Sequence, residues 1–364
     1  MGFSLDCIYQ LCGASRSSSG ADGEVNWMQL GMKLVKIASP YVVSHIGEVS
    51  RPNQVDVDQA FADASSLKSS KPYKAPAYKH GDVRALLIGI NYYGTSAELS
   101  GCVNDVRQEL ATFQKTKFPV NKMAILVDES DFPGVTAQPT RANIIKYMAW
   151  LVKDVQPGDV LFMHYSGHGT QTRSVDAYEE FDQVICPVDY ASAGCIVDND
   201  IFRILASKLP QGVRLTILFD CCHSGSLIDL PYNFIGGSGV GRSGAYHMQK
   251  VRNNNFSKGD VLMISGCKDA QTSADVGNTA TMGNGTTGAG GAATQCLSYI
   301  LLHTQGLSYT ETMVQTREML KKKNFEQVPQ LSASKPINLD SEFSLVNLFD
   351  VDGTMKRTLP ENLQ

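Results

Sequence analysis

The sequence has no surplus of either charge, no regular cysteine spacing and no long apolar run, and each absence removes a class of function. Its 32 Lys and Arg stand against 36 Asp and Glu, a formal net charge of -4 at pH 7. Without a basic block there is no track for nucleic acid and no patch for an anionic membrane. No segment supplies the roughly 20 apolar residues that a spanning helix needs, so no membrane span is expected. The opening MGFSLDCIYQLCGAS lacks a basic n-region and an uninterrupted apolar core, and does not read as a secretory signal. Asp6 stands where an N-myristoylation motif takes Ser or Thr, which leaves Cys7 and Cys12 as the sites for a thioester lipid. The 9 cysteines are irregularly spaced and include an adjacent pair, which fits a reduced, intracellular, cytoplasmic protein better than a disulfide framework. No internal repeat is visible.

What is present is length and alternation. A chain of 364 residues can bury one large core with appendages, or two. Residues 1–81 read as an N-terminal segment and linker. Within them VNWMQLGMKLVKIASPYVV sets Trp27, Leu30, Leu34 and Ile37 at helical spacing, so this part is expected to pack on the main domain. SSLKSSKPYKAPAYKHGD, rich in Ser, Lys and Pro, predicts an exposed linker. The main domain is expected over 82–364. There the runs RALLIGINYY, KMAILVD, GDVLFMHYSGHG, VRLTILFDCCHSG and DVLMISGC read as buried strands, and the stretches between them carry helical periodicity. Pro139 with Thr140 opens one such helix, and PQLSAS is a final strand. Strands apolar on both faces and separated by helices predict an α/β fold, a mostly parallel central sheet flanked by helices on both faces. Glycine-rich stretches predict mobile loops near 233–260 and 277–291.

Ligands of open parallel sheets bind beyond the carboxyl ends of the strands. His168 and Cys222 each follow such an end, in the glycine-bounded turns YSGHG and CCHSG. A thiolate nucleophile needs a histidine that takes its proton and then protonates the leaving amine. A lone buried cysteine is ordinarily a small hydrophobe and a lone histidine an ordinary hydrogen-bonding group. Finding both after equivalent strands favours the dyad. A zinc site from His164, His168, Cys221 and Cys222 is disfavoured, because adjacent cysteines chelate one ion poorly and the two histidines do not share a helical face.

At these residues the chain resembles the metacaspases, in the type I form of trypanosomatid protozoa. HYSGHGTQ and DCCHSGS are similar to the family's histidine and cysteine boxes, and the likeness runs from about residue 82 to about 345. The resemblance implies a caspase-like fold and a calcium-activated, self-processing cysteine endopeptidase that cuts polypeptides after Arg or Lys. It gives His168 the role of base and acid, Cys222 that of nucleophile, and the amides of Gly169 and Cys222 the oxyanion. Cys102, Asp105, Ser166 and Asp220 would form the substrate pocket, the two acids receiving the substrate cation. Asp182, Asp198, Asn199 and Asp229 would bind Ca2+ through oxygen. The family usually has aspartate at the place of Asn199, so Asp200 is the alternative there. Read without the resemblance, VDND and Asp105 are helix caps. Lys250, Arg252, Lys258 and Lys268 are the expected self-cleavage sites. Residues 24–60 would lie along the domain as in a zymogen, with Tyr41 plugging the cleft. A monomer is expected, and peripheral endosomal association is compatible with the sequence. The alternative function is a catalytically silent calcium-binding or scaffold protein on the same fold.

Overall fold

Five of the strands expected from the sequence lie side by side and parallel. Numbered along the chain they are β1 (Val83–Gly89), β2 (Lys122–Val127), β3 (Val160–Ser166), β7 (Arg214–Asp220) and β10 (Asp260–Ser265), in the order β2-β1-β3-β7-β10. The sheet continues antiparallel through β13 (Gln330–Ala333), β8 (Tyr232–Ile235) and β9 (His247–Lys250), giving eight strands. This computed structural model describes residues 46, 48–71, 73–175, 180–221, 227–236, 246–266, 275–276, 290–323, 325 and 328–350. The helix expected around Trp27, Leu30, Leu34 and Ile37 lies outside them. The described residues belong to one unit, Ser44–Gln364.

Every residue of β1, β3 and β7 is buried, so the central strands read as unbroken apolar runs rather than as alternation. On one face Leu86, Ile88, Met163, Tyr165, Ile217 and Phe219 pack with α1 (Val57–Asp63), α3 (Arg141–Val152) and α5 (Asp198–Leu205). On the other, Ala85, Leu87, Phe162 and Leu218 meet α2 (Cys102–Thr116) and α7 (Tyr309–Lys322), with α6 (Ala292–His303) between those two helices. A short α4 (Tyr190–Ala193) precedes α5. Beside the main sheet, β4 (Gly169–Arg173), β5 (Phe181–Ile185) and β6 (Ile196–Val197) form a small antiparallel sheet. The short pair β11 (Asp275–Val276) and β12 (Gly290–Gly291) leads into α6. The helix starts follow local chemistry: the Thr140 side chain accepts from Asn143 N, and Ser308 with Glu311 forms a capping box on α7. No helix among the described residues is long and apolar enough to cross a membrane.

Two sequence expectations change. The linker before residue 82 is tied down: Ser70 N donates to Met123 O at 2.6 Å, and Tyr73 Oη to Phe118 O at 2.7 Å. Ahead of it Val55, Val57, Ala60 and Ala64 belong to the core, so the packing does not divide at residue 82. The stretch 233–260, expected as a loop, contains the β8–β9 hairpin, because Phe234 is buried and stacks on Tyr246 at 5.1 Å. Residues 237–245 and 277–289 lie outside the described residues.

The contact between α2 and α6 is polar at its centre. Ser298 Oγ donates to the buried Glu109 Oε1 at 3.0 Å, and burial pushes the Glu109 carboxyl from its ordinary 4.5 up to about 7. Between those values the folded chain keeps a proton that the unfolded chain has lost. Stability therefore falls as pH rises through that window, and the loss is complete above about 7. Glu109→Gln abolishes this dependence. Its urea midpoint should match wild type near pH 5 and exceed it at pH 8, by on the order of 2 kcal/mol in unfolding free energy. Parallel pH curves for the two proteins would refute the assignment.

Candidate active site

The carboxyl ends of β1, β3 and β7 are level: Gly89 pairs with Ser166, and Ser166 with Asp220. The chain that leaves each strand therefore emerges at one place, where the switch of direction in such sheets leaves a crevice. His168 comes two residues after Ser166. Cys222 comes two residues after Asp220 in the sequence and lies outside the described residues, as does Tyr41.

His168 is buried and fixed at three points. Its N–H donates to Tyr92 Oη at 2.9 Å, its carbonyl accepts from Tyr165 Oη at 2.8 Å, and its Nε2 lies 2.8 Å from the Ala97 carbonyl oxygen. A carbonyl only accepts, so Nε2 carries the hydrogen and the lone pair of the neutral ring falls on Nδ1. The preceding Gly167 leaves no room for a side chain, since an added Cβ would lie 2.8 Å from Tyr165 Oη and 2.9 Å from Tyr92 Oη. Gly169 opens β4 opposite Ile185. Its neighbour His168 accepts from Cys186 N, so by antiparallel alternation the N–H of Gly169 turns away from β5.

Three of the four residues expected to form a pocket, Asp105, Ser166 and Asp220, are brought together at these strand ends. Asp105, in the first turn of α2, is fully buried and accepts from Ser166 Oγ at 2.7 Å, Gln295 Nε2 at 2.9 Å and Gly291 N at 2.9 Å. Asp220 accepts from Thr294 N at 2.8 Å. Cys102 is the first residue of α2, its N–H donating to Asn91 Oδ1 at 2.9 Å. Burial, and then the charge of Asp220, hold the Asp105 carboxyl well above the usual range. The start of α6 supplies donors to both acids, because buried anions are costly unless hydrogen-bonded. The cap reading of Asp105 also fails, since Gly101 is the N-cap of α2. Gly291 makes the approach possible, as a Cβ there would strike Asp220 and come within 2.9 Å of Asp105 Oδ2. Cys221 is buried in the core on the α3 and α5 face. His164 Nε2 lies 3.4 Å from Thr294 Oγ1, and burial lowers its imidazole to about 3, so it stays neutral.

The expected calcium residues gather where β5 meets α5, two of the three carboxylates with an arginine and the third with backbone donors. Asp182 is ion-paired with Arg51, and Asp229 with Arg252 at 2.6 Å. Asp198 accepts from Gln183 N at 2.7 Å and from Asn199 N at 2.6 Å. Burial, then the charges of Asp229 and Asp182, push Asp198 up to about 8. Asp200 is engaged elsewhere, accepting from Val55 N and Arg203. The N-cap of α5 is Val197, without a side-chain bond, so the cap reading of VDND is corrected. Oxygen donors that repel one another suit a hard cation. Their arrangement does not: among the described residues no three such groups are set to hold a metal. Asn199 and Arg51 line a neighbouring cleft of about 410 Å³.

Several of these residues escaped the sequence reading. Thr294, Gln295 and Ser298 did leave a signal, as polar residues on one side of the apolar helix AATQCLSYILLH. Tyr92, Ala97, Arg51 and Arg252 left none, since their roles come from contacts across the fold.

Residues 83–231 match the family described as metacaspase, peptidase C14 domain. The chain is 57% identical over 353 residues to Metacaspase-3 of Trypanosoma cruzi, covering 97% of this chain and 99% of that protein. It is 55% identical over 350 residues to Metacaspase-2 of Trypanosoma brucei brucei, covering 96% and 99%. It is also 46% identical over 336 residues, covering 92% and 95%, to a protein of the same organism named Inactive metacaspase-4. The fold matches a crystal structure of a Geobacter sulfurreducens protein with TM-score 0.50 and 21% identity, over 74% of this chain and 100% of that one. The caspase-like α/β fold, its level strand ends and relatives that span nearly the whole sequence agree on one conclusion: the chain belongs to the metacaspases, a family of cysteine peptidases, in their trypanosomatid type I form.

Proposed function

We propose that the chain is a calcium-activated endopeptidase that cuts after Arg or Lys, with Cys222 as nucleophile and His168 as base and acid. The observation that carries this reading is the bond of His168 Nε2 to Ala97 O, which assigns the lone pair to Nδ1. Nδ1 takes the thiol proton as the sulfur bonds to the substrate carbonyl carbon. The imidazolium then gives that proton to the amine nitrogen as the C–N bond breaks. Water hydrolyses the thioester with Nδ1 again as base. The amides of Gly169 and Cys222 receive the oxyanion, a contribution typically of about 3 to 4 kcal/mol per donor. Specificity falls to Asp105 and Asp220, neighbouring acids that accept from N–H groups, a hydroxyl and an amide. A substrate guanidinium or ammonium would bring the complementary charge.

Asp182, Asp198, Asn199 and Asp229 would be the oxygen ligands of calcium, and their present state competes with it: Asp182 and Asp229 are paired with Arg51 and Arg252, and Asp198 holds a proton up to about 8. The name of one relative keeps a silent variant of this fold as the second reading.

An Arg-blocked fluorogenic peptide should be hydrolysed with calcium, and far more slowly with chelator. Cys222→Ala should abolish hydrolysis, and activity surviving in it would remove the nucleophile assignment. Asp220→Asn should cut kcat/KM for that peptide by about 100-fold or more while the rate of Cys222 alkylation stays unchanged; unchanged hydrolysis would discard the pocket. For the metal, calorimetry on the Cys222→Ala background should find calcium bound about 3- to 10-fold tighter by Arg51→Gln than by the parent. Equal affinities would mean that Arg51 does not compete.

Self-cleavage, read by mass spectrometry after calcium addition, is expected at Lys258, which is exposed ahead of β10. Lys250 lies within β9, Arg252 is held by Asp229, and Lys268 lies outside the described residues. Cover of the cleft by the N-terminal segment is best tested by deleting residues 1–45. A deletion to residue 70 would also strip Val55, Val57, Ala60 and Ala64 from the core. Peptide cleavage should rise in the shorter deletion, and an unchanged rate would discard the cover.

A further inference from the structure

The backbone that leaves β1 turns the wrong way for a tyrosine. Tyr92 has φ +53, a left-handed conformation that bulky side chains seldom adopt, and is nevertheless fully buried. Asp128, just past the end of β2, holds it there: Oδ1 accepts from Asn91 N at 3.0 Å and Oδ2 from Tyr92 N at 2.6 Å. The turn sends the Tyr92 side chain under the histidine loop and leaves Tyr93 half exposed.

The Tyr92 hydroxyl then joins that loop to the residue that follows β5. It donates to Cys186 O at 2.6 Å, accepts from His168 N at 2.9 Å and lies 3.3 Å from Tyr165 Oη. Tyr165 Oη donates to His168 O. The Tyr92 ring packs against the imidazole, with centroids 4.8 Å apart and planes inclined by 42°. Burial holds both phenols well above the usual range, so they remain protonated donors at any pH where the chain is folded. A phenylalanine would fill the same space yet remove the hydroxyl that accepts from His168 N–H and one of the two hydroxyls beside Cys186 O.

We propose that Tyr92 is a positioning residue for His168, and that Asp128 acts through it by enforcing the left-handed turn. Ala97 O fixes the far nitrogen of the ring, while Tyr92 fixes the backbone from which the ring projects and presses on its face. Together they set the direction of Nδ1. No contact with substrate is involved. The proposal rests on the reading of His168 as the general base, so its test separates the two.

The test compares wild type, His168→Ala, Tyr92→Phe and Asp128→Asn as full chains. It reads peptide hydrolysis with calcium across pH, and alkylation of Cys222 by iodoacetamide across pH without substrate. Tyr92→Phe should lose about 10- to 100-fold in kcat with KM within about 2-fold, the signature of a misdirected base. Its alkylation profile should move up by about one pH unit toward that of an ordinary thiol, because the imidazole no longer stabilises the thiolate as well. Asp128→Asn keeps every side chain around His168 but presents an NH2 group to one of two backbone N–H donors. It should shift both readouts in the same direction by at least about 3-fold. Wild-type kcat and alkylation profile in Tyr92→Phe would overturn the proposal. If that variant does not fold, the same outcome in Asp128→Asn overturns it. Unchanged profiles in His168→Ala would instead remove the base assignment, and the role of Tyr92 with it.

Discussion

Parallel strands in register deliver their following loops to one edge at one height, and the rest of the site depends on that constraint. Gly89, Ser166 and Asp220 stand side by side, so the histidine loop, the start of α2 and the end of β7 meet without any long-range reach by a side chain. The strands are buried on both faces, which makes the platform stiff. Stiffness matters because a misplacement of about 1 Å between base and nucleophile can cost about 100-fold in rate.

A second theme is how the fold tolerates buried acids. An unpaired buried carboxylate costs several kcal/mol, and each group here avoids that differently. Asp105 and Asp220 rest on the opening turn of α6, where N–H groups point outward and the helix dipole is positive. Asp182 and Asp229 take arginines from distant parts of the chain, and Asp198 retains a proton close to neutral pH. These solutions differ in how readily they yield. Helix amides are fixed, whereas an arginine on a flexible stem can swing away and a proton can leave.

Sequence made the sheet legible because its central strands are apolar on both faces, and it made the dyad candidates legible because glycine brackets them. His168 lies at the predicted strand end, and Asp105, Ser166 and Asp220 meet as a group. The β8–β9 hairpin was not legible, since Tyr232 and Ile235 are only half buried and glycines follow directly. Nor was the attachment of the linker, made through Ser70 backbone and the Tyr73 hydroxyl rather than through any apolar period. The least readable element is the loop after β1. In GINYYGTSAEL nothing marks Ala97 as a source of a carbonyl or Tyr92 as left-handed, because both depend on Asp128 and His168 once the chain is folded.

The order of strands bears on the fate of a broken backbone. β10 lies between β7 and β13, and β13 in turn pairs with β8. A single nick between β9 and β10 would therefore leave the downstream fragment threaded through the sheet of the upstream one. Asp105 and Asp220 belong to the first fragment, and the amides that cradle them, from Gly291 and Thr294, to the second. Severed in this way, the molecule would persist as a two-piece fold whose halves separate only on unfolding.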